Sequence, residues 1–428
     1  MIGRMKFAVS QTVRAIWFRP AVYVLASVAT LAVSTVLGPM IPDDLATRVG
    51  AEGVGRILEI LASGMLAVAV FSLTTMVAAM QAVSQAATPR VRRLLVEDRT
   101  AQNAISTFIG TFLFSLLGIV ALSAGLYDLS GRFVLLIITL CLIVVVVVTL
   151  IGWIQKLSHI GGVEEAVDRV EKATRRAFQA AQPRCGCRRT AAVPKGAQAV
   201  HSTTIGYVRH MDEALLGRLT ESLGVAIHVA APPGTYVDPT HPLAMVETEP
   251  GEDLRRDIRS AFVIGGGRTF DTDPRFGLLV LSEIASRALS PGVNDPGTAI
   301  DVVGTLTRIL TEWGEIRQDA KPEVRYPRLT VPEIDPVDIF ADAFRGIARD
   351  GAGLLEVQVR LHKGLATLAA VDPQLFGKAA REMSREALQR ASLAMAHEDD
   401  IAFVRAAAGR VSIEWPSTAI GELPAAEA

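Results

Sequence analysis

Cysteine, lysine, aromatic side chains and charge are all scarce in this 428-residue chain. Three cysteines, Cys141, Cys185 and Cys187, are too few for the disulfide framework of a small secreted domain. Cys185-Gly-Cys187 is two ligands short of a structural zinc site and reads as a reduced pair in a loop. Charged residues make up 20% of the chain and aromatics 6%, while half of it is hydrophobic. A soluble domain carries about 25% charge, so neither a wholly soluble protein nor a disordered one fits. Only 7 of the 43 basic residues are Lys. The bidentate fork of Arg suits lipid phosphates, and a nucleotide-composition bias accounts for the preference equally well. The net charge is +4 over residues 1–155 and −5 over the remainder. Neither half is basic enough for nucleic acid to be a partner.

Familiar reaction motifs are missing too. Gly265-Gly266-Gly267-Arg268 lacks both a Lys-Ser/Thr pair and GxGxxG spacing, so it reads as a turn. There is no convincing Ser/His/Asp arrangement and no helix with paired histidines. The expectation is a protein that is not an enzyme, with no catalytic residue, metal or cofactor.

What the chain does have is four long uncharged runs in its first 155 residues: Ala21–Met40, Ile60–Pro89, Thr100–Ser130 apart from Asp128, and Phe133–Gln155. A helix needs about 20 such residues to cross the hydrocarbon core. The basic residues alternate across the loops. Arg4, Lys6, Arg14 and Arg19 precede the first run; the second and third are joined by a net +2; Lys156, Arg169 and Lys172 follow the fourth. The positive-inside rule then places both termini in the cytoplasm, with Trp17 and Trp153 as interfacial anchors. No charge stands in the middle of a span, and the spans do not split into matching halves. Both facts argue against a proton-coupled transporter built on an inverted repeat.

The second run carries the most information. Thr74, Ala78, Gln81, Gln85 and Thr88 are spaced 4, 3, 4 and 3, one continuous helix face. An amide in hydrocarbon is costly unless it is hydrogen-bonded or wet. The stripe therefore faces other helices, as packing polar groups, or water, as the lining of a pore. Arg90, Arg92 and Arg93 would stand at the cytoplasmic mouth of such a pore.

Beyond residue 155 the period changes. Residues 156–182 read as a juxtamembrane helix continuing from the fourth span, followed by a Gly/Pro/Arg-containing linker. Strands are expected at Ile205–Val208, Val225–Val229 and Leu243–Val246, with a short helix from Met211 to Leu223 capped by Asp212. Pro233-Gly234-Thr-Tyr-Val237 with Pro242-Leu243-Ala244 resembles a fragment of a barrel-sandwich domain, without the carrier lysine. Asp273-Pro274 and Asp295-Pro296 each start a helix, Asp as N-cap and Pro as first residue. The loop Leu289-Ser-Pro-Gly-Val-Asn-Asp-Pro296 joins them. Glu283, Arg287, Ser290, Asn294 and Asp295 are the candidates for an anion or partner site there; cap and turn is the plainer reading. Lys321–Pro336 reads as irregular, residues 340–368 as helix or strand, and Phe376–Ala407 as a helical hairpin.

Several of these segments resemble one known family. Met80-Gln-Ala-Val-Ser-Gln-Ala-Ala-Thr-Pro-Arg-Val-Arg-Arg-Leu-Leu-Val-Glu-Asp-Arg99 with Ile109-Gly-Thr-Phe112 is similar to its second and third spans. So are Arg268-Thr-Phe-Asp-Thr-Asp-Pro-Arg-Phe-Gly277 and Arg287-Ala-Leu-Ser-Pro-Gly-Val-Asn-Asp-Pro-Gly-Thr-Ala-Ile300 to its later motifs. The family is a bacterial predicted-membrane-protein family catalogued as domain of unknown function 2254. The resemblance implies four spans, a cytoplasmic tail and the bacterial inner membrane, and it supplies no activity.

The expected architecture is an α-helical membrane domain of four transmembrane helices over 1–155 and a cytoplasmic α+β part. That part comprises a juxtamembrane helix and linker over 156–200, a small β-rich subdomain over 201–250, a mostly helical domain over 251–420 and a disordered tail over 421–428. The expected function is a homo-oligomeric ion channel lined by the second span and gated by the cytoplasmic domain, with the lipid bilayer and small ions as partners. The alternative is a non-conducting scaffold or sensor that binds a partner or small anion through its cytoplasmic part.

Overall fold

The computed structural model describes residues 53–91, 99–127, 129–157, 162–181, 187–189, 195–319 and 325–412, with Leu94 and five isolated helical positions between 21 and 29. The first apolar run apart from those positions, Trp17, Cys185 and the expected tail 421–428 lie outside the described residues. The chain divides into two compact units. One comprises Met5–Gln85 and Pro89–Glu165; the other gathers Ala166–Ala428 with the short stretch Ala86–Thr88.

Three helices of the first unit are long and apolar enough to cross a membrane. They are α1 (Val54–Ala86), α2 (Arg99–Ser123) and α3 (Leu129–Leu157). Among the described residues these account for the second, third and fourth apolar runs. Each exceeds the about 20 residues that a hydrocarbon core requires. Two clusters hold them together. Ala69 and Met76 of α1 pack with Ala101, Phe108, Val146 and Trp153. Val54 and Leu58 pack with Phe114, Tyr127 and Leu135. Trp153, expected at the interface, is 1% exposed and packs among all three helices. Leu66, Val70, Phe71, Leu73, Val144 and Val148 point outward, as lipid-facing positions do.

In the second unit, α4 (Val163–Ala180) turns Val170, Ala173, Thr174, Ala177 and Phe178 inward. A five-stranded sheet follows the order β1 (Cys187–Arg189), β8 (Tyr326–Val331), β4 (Ile227–Val229), β6 (Pro242–Val246), β2 (Gln198–His201). β8 runs parallel to both neighbours and the other pairs are antiparallel. A three-stranded sheet has β3 (Gly206–Met211) between β5 (Tyr236–Val237) and β7 (Phe262–Gly265). Helix α5 (Glu213–Leu223) is capped by Asp212, which accepts from the Leu215 amide at 3.0 Å. Gly217 leaves room for the Tyr326 ring, where a Cβ would collide. Helix α6 (Glu252–Ser260) guards the edge strand β2, its Arg255 and Arg259 donating to the carbonyls of Ala199 and His201 at 3.1 and 3.0 Å. One expectation fails here: residues 326–331, expected to be irregular, form a strand within the larger sheet. The segments 233–237 and 242–246 contribute strands to different sheets, β5 pairing with β3 and β6 with β4 and β2.

The rest is helical: α7 (Pro274–Ala288), α8 (Pro296–Asp319), α9 (Pro336–Asp350), α10 (Leu355–Val371), α11 (Pro373–Ala394) and α12 (Glu398–Gly409). Residues 340–368, open between helix and strand from sequence, fall in α9 and α10. Four of these helices begin Asp-Pro. The aspartates 273, 295, 335 and 372 accept from the amides of Phe276, Thr298, Val337 and Leu375 at 2.8 to 3.1 Å. Proline at the first helical position gives up no hydrogen bond there and has its φ already set. A chain of rings ties the helices together. Phe178 of α4 meets Trp313 of α8, Trp313 meets Phe376 of α11, and Phe376 meets Phe340 of α9, at 5.2, 5.7 and 5.7 Å between centroids.

Candidate functional site

The polar stripe of the second apolar run lies on α1, and burial divides that helix by face. Ala69, Ser72, Met76 and Val83 are buried. Thr74, Ala78 and Gln81 are exposed, on the side away from the core of their own unit. Thr74 and Thr75 return their hydroxyls to the carbonyls of Val70 and Phe71, at 3.0 and 2.8 Å. Serine and threonine commonly satisfy themselves this way inside a helix. The Gln81 amide has no such recourse, and no described residue bonds it. Between the polar positions stand Leu73 and Val77, also exposed. Thr88 lies past the end of α1, is buried, and donates to Glu283 Oε2 of α7 at 3.5 Å, both within the second unit. Arg90 is exposed on the short turn Pro89–Val91. Arg92, Arg93 and the Gln85 side chain lie outside the described residues.

The loop between α7 and α8 is built from its own groups. Asn294 has φ 52°. That left-handed conformation is one Asn adopts more readily than most residues. The amides of Val293 and Asn294 both reach the Ser290 carbonyl, at 3.0 and 2.9 Å, and the Asp295 amide reaches the Ala288 carbonyl at 2.8 Å. Ser290 Oγ donates to the Arg287 carbonyl. Asp295 accepts from the amide and the hydroxyl of Thr298 at 3.1 and 2.6 Å. The Thr298 hydroxyl, then its amide, hold this carboxyl below the usual carboxylate range. Asn294 and Asp295 are exposed, as is Arg287. Glu283 stands one turn before Arg287 on α7 and is engaged by Thr88. The Ser290 and Asp295 side chains are thus spent on turn and cap, Asn294 and Arg287 are exposed, and Glu283 bonds Thr88.

Three polar constructions escaped the sequence reading. Arg268 makes a bidentate bond to Asp273, 2.6 Å from Nε and 3.0 Å from Nη2, with side chains 17% and 2% exposed. The guanidinium also lies 5.4 Å from the Phe276 ring centroid. Gly234, at φ 95°, presses against the Asp273 carboxyl, where a Cβ would collide. Buried Glu171 of α4 accepts a fork from Arg308 of α8 at 3.1 and 2.8 Å and a further bond from Arg175 at 2.7 Å. His228 joins Thr330 Oγ1 and Glu247 Oε1 across neighbouring strands, at 2.6 and 3.1 Å. The only hint in sequence was the cluster of Arg, Asp and Thr between residues 268 and 275. Among the described residues no group of three His, Cys, Asp or Glu side chains is arranged to hold a metal ion.

The family described as Predicted membrane protein (DUF2254) matches residues 14–367. The chain belongs to this family. Uncharacterized protein Rv1290c of Mycobacterium tuberculosis and Uncharacterized protein Mb1321c of Mycobacterium bovis are each similar to it at 26% identity. The alignments cover 72% of this chain and 62% of each relative, so the chain spans less than two thirds of their length. No solved structure matches. Membership in a membrane-protein family agrees with the apolar lengths of α1, α2 and α3.

Proposed function

We propose that this is a homo-oligomeric protein of the bacterial inner membrane, with four spans, both termini cytoplasmic, and an ion-conducting path along α1. The observation that carries the reading is the exposure of Thr74, Ala78 and Gln81 outside their own helical unit. An amide left against lipid costs several kcal/mol by alkane transfer, about 4–8 for such a group. A second copy or a water-filled path removes that cost. Thr74, Ala78 and Ala82, all exposed and four residues apart, form the kind of small-residue face on which membrane helices approach closely. Arg90, Arg92 and Arg93 follow the helix and would favour anions at its mouth.

The test is ion flux into liposomes carrying the purified protein, beside a Gln81→Leu, Gln85→Leu variant. Flux in the native protein that the variant loses supports conduction along α1. Equal flux in both places the path elsewhere. One observation favours the alternative, a non-conducting scaffold. The Thr74 and Thr75 hydroxyls are turned onto their own backbone and Leu73 and Val77 interrupt the polar positions, so a continuous wetted line is not required. On that reading helix–helix association remains while flux is absent from every sample.

A further inference from the structure

Helix α10 lies among its neighbours with two polar side chains facing inward one turn apart. Gln358 and His362 are both 0% exposed. Each is half satisfied. Gln358 donates through Nε2 to the carbonyls of Gly351 and Ala348, at 3.0 and 3.4 Å, tying α10 to the end of α9. Those carbonyls fix the amide orientation, since a flipped amide would set oxygen against oxygen. His362 meets Ser384 Oγ of α11 through Nδ1 at 3.0 Å. What remains is Gln358 Oε1 and His362 Nε2, both buried and both without a partner.

Residues four apart on a helix face are neighbours, with Cβ atoms about 5–6 Å apart. An amide oxygen is an obligate acceptor. The Ser384 hydroxyl and Nδ1 share one hydrogen bond, and whichever of them donates, Nε2 keeps one unfilled polar position, a donor in one tautomer and an acceptor in the other. A water molecule both donates and accepts, so one water can join an amide oxygen and a ring nitrogen on adjacent turns, and buried waters occur where polar groups converge. We propose that α9, α10 and α11 enclose a binding site for a single water, which donates to Gln358 Oε1 and shares its second hydrogen bond with His362 Nε2. The site fixes the mutual register of the three helices through one shared molecule. It also accounts for two polar groups in the middle of a helical core, where an unpaired polar atom is costly.

The experiment is a structure of the full-length protein at a resolution that shows ordered water, beside the same structure of Gln358→Leu. The expected result is a density peak about 2.7–3.2 Å from both Oε1 and Nε2, absent from the variant. A native map without the peak, with Oε1 and Nε2 in direct contact or bonded to protein groups, overturns the proposal. A peak that persists unchanged in the variant overturns it too, because other groups would then hold the water. If the variant does not fold, the native map alone decides.

Discussion

At the scale of single residues, buried polar groups matter more than exposed ion pairs. Asp273 is asked to do three things at once: cap α7 through the Phe276 amide, neutralise Arg268, and form the floor under Gly234. Removing one partner of a buried pair leaves the other charge uncompensated, which costs about 3–5 kcal/mol. Asp273→Asn should therefore destabilise the second unit on that scale, read as a lower denaturation midpoint. Loss no larger than at an exposed pair such as Arg256–Asp253 would contradict the role given to it. His362 supplies a second prediction, through pH. Burial holds its imidazole down to about 4, while an unfolded His titrates near about 6.5. The unfolded state binds more protons between these values, so the contribution is fully present above about pH 6.5 and falls as pH drops to about 4. At about 1.4 kcal/mol per unit, roughly 3 kcal/mol is lost over that window. Unfolding of native protein and His362→Gln across the window should converge as pH falls. Parallel curves would show that His362 titrates alike in both states, against the lowered folded value.

At the scale of elements, α4 is held to the helical layer by shape and charge together. A Cβ on Gly277 of α7 would collide with Thr174 of α4, and Glu171 binds Arg308. Overpacking of this kind typically costs about 1–3 kcal/mol. Gly277→Ala should lower the unfolding temperature, and adding Thr174→Ala should recover part of the loss; no recovery would place the strain elsewhere. The helix starts could be read from sequence because their cause is local. Asp273-Pro274 and Asp295-Pro296 carry the cap and the first residue side by side. β8 could not. Pro327 breaks the expected pattern, and the strand is possible because its ladder with β1 is irregular across that stretch: Cys187 pairs with Tyr326 and Arg188 with Thr330. Proline in strands is tolerated at such irregular places. The site residues divide in the same way. The α1 stripe follows from helical spacing, whereas Arg268–Asp273, Glu171–Arg308 and His362–Ser384 depend on turns or on helices distant in sequence. Asp295→Ala should cost about 1 kcal/mol, the usual worth of an N-cap, if the α7–α8 loop is a structural turn. Preserved stability with loss of a cellular phenotype would instead give that loop a partner.

At the scale of the whole molecule, two units with different surfaces share one chain. The span unit shows lipid an apolar face interrupted by one polar stripe; the other unit is a sheet-and-helix body whose Asp-Pro starts and buried ion pairs fix its interior. Assembly through the stripe is the central claim. The direct measurement is oxidative cross-linking in native membranes of Ala78→Cys in a background without Cys141, Cys185 and Cys187. The account predicts a disulfide-linked dimer, formed readily at Ala78 and at Ala82→Cys, and not at a buried control such as Val83→Cys. A chain that stays monomeric at all three positions, or that links as readily at Val83 as at Ala78, would contradict it.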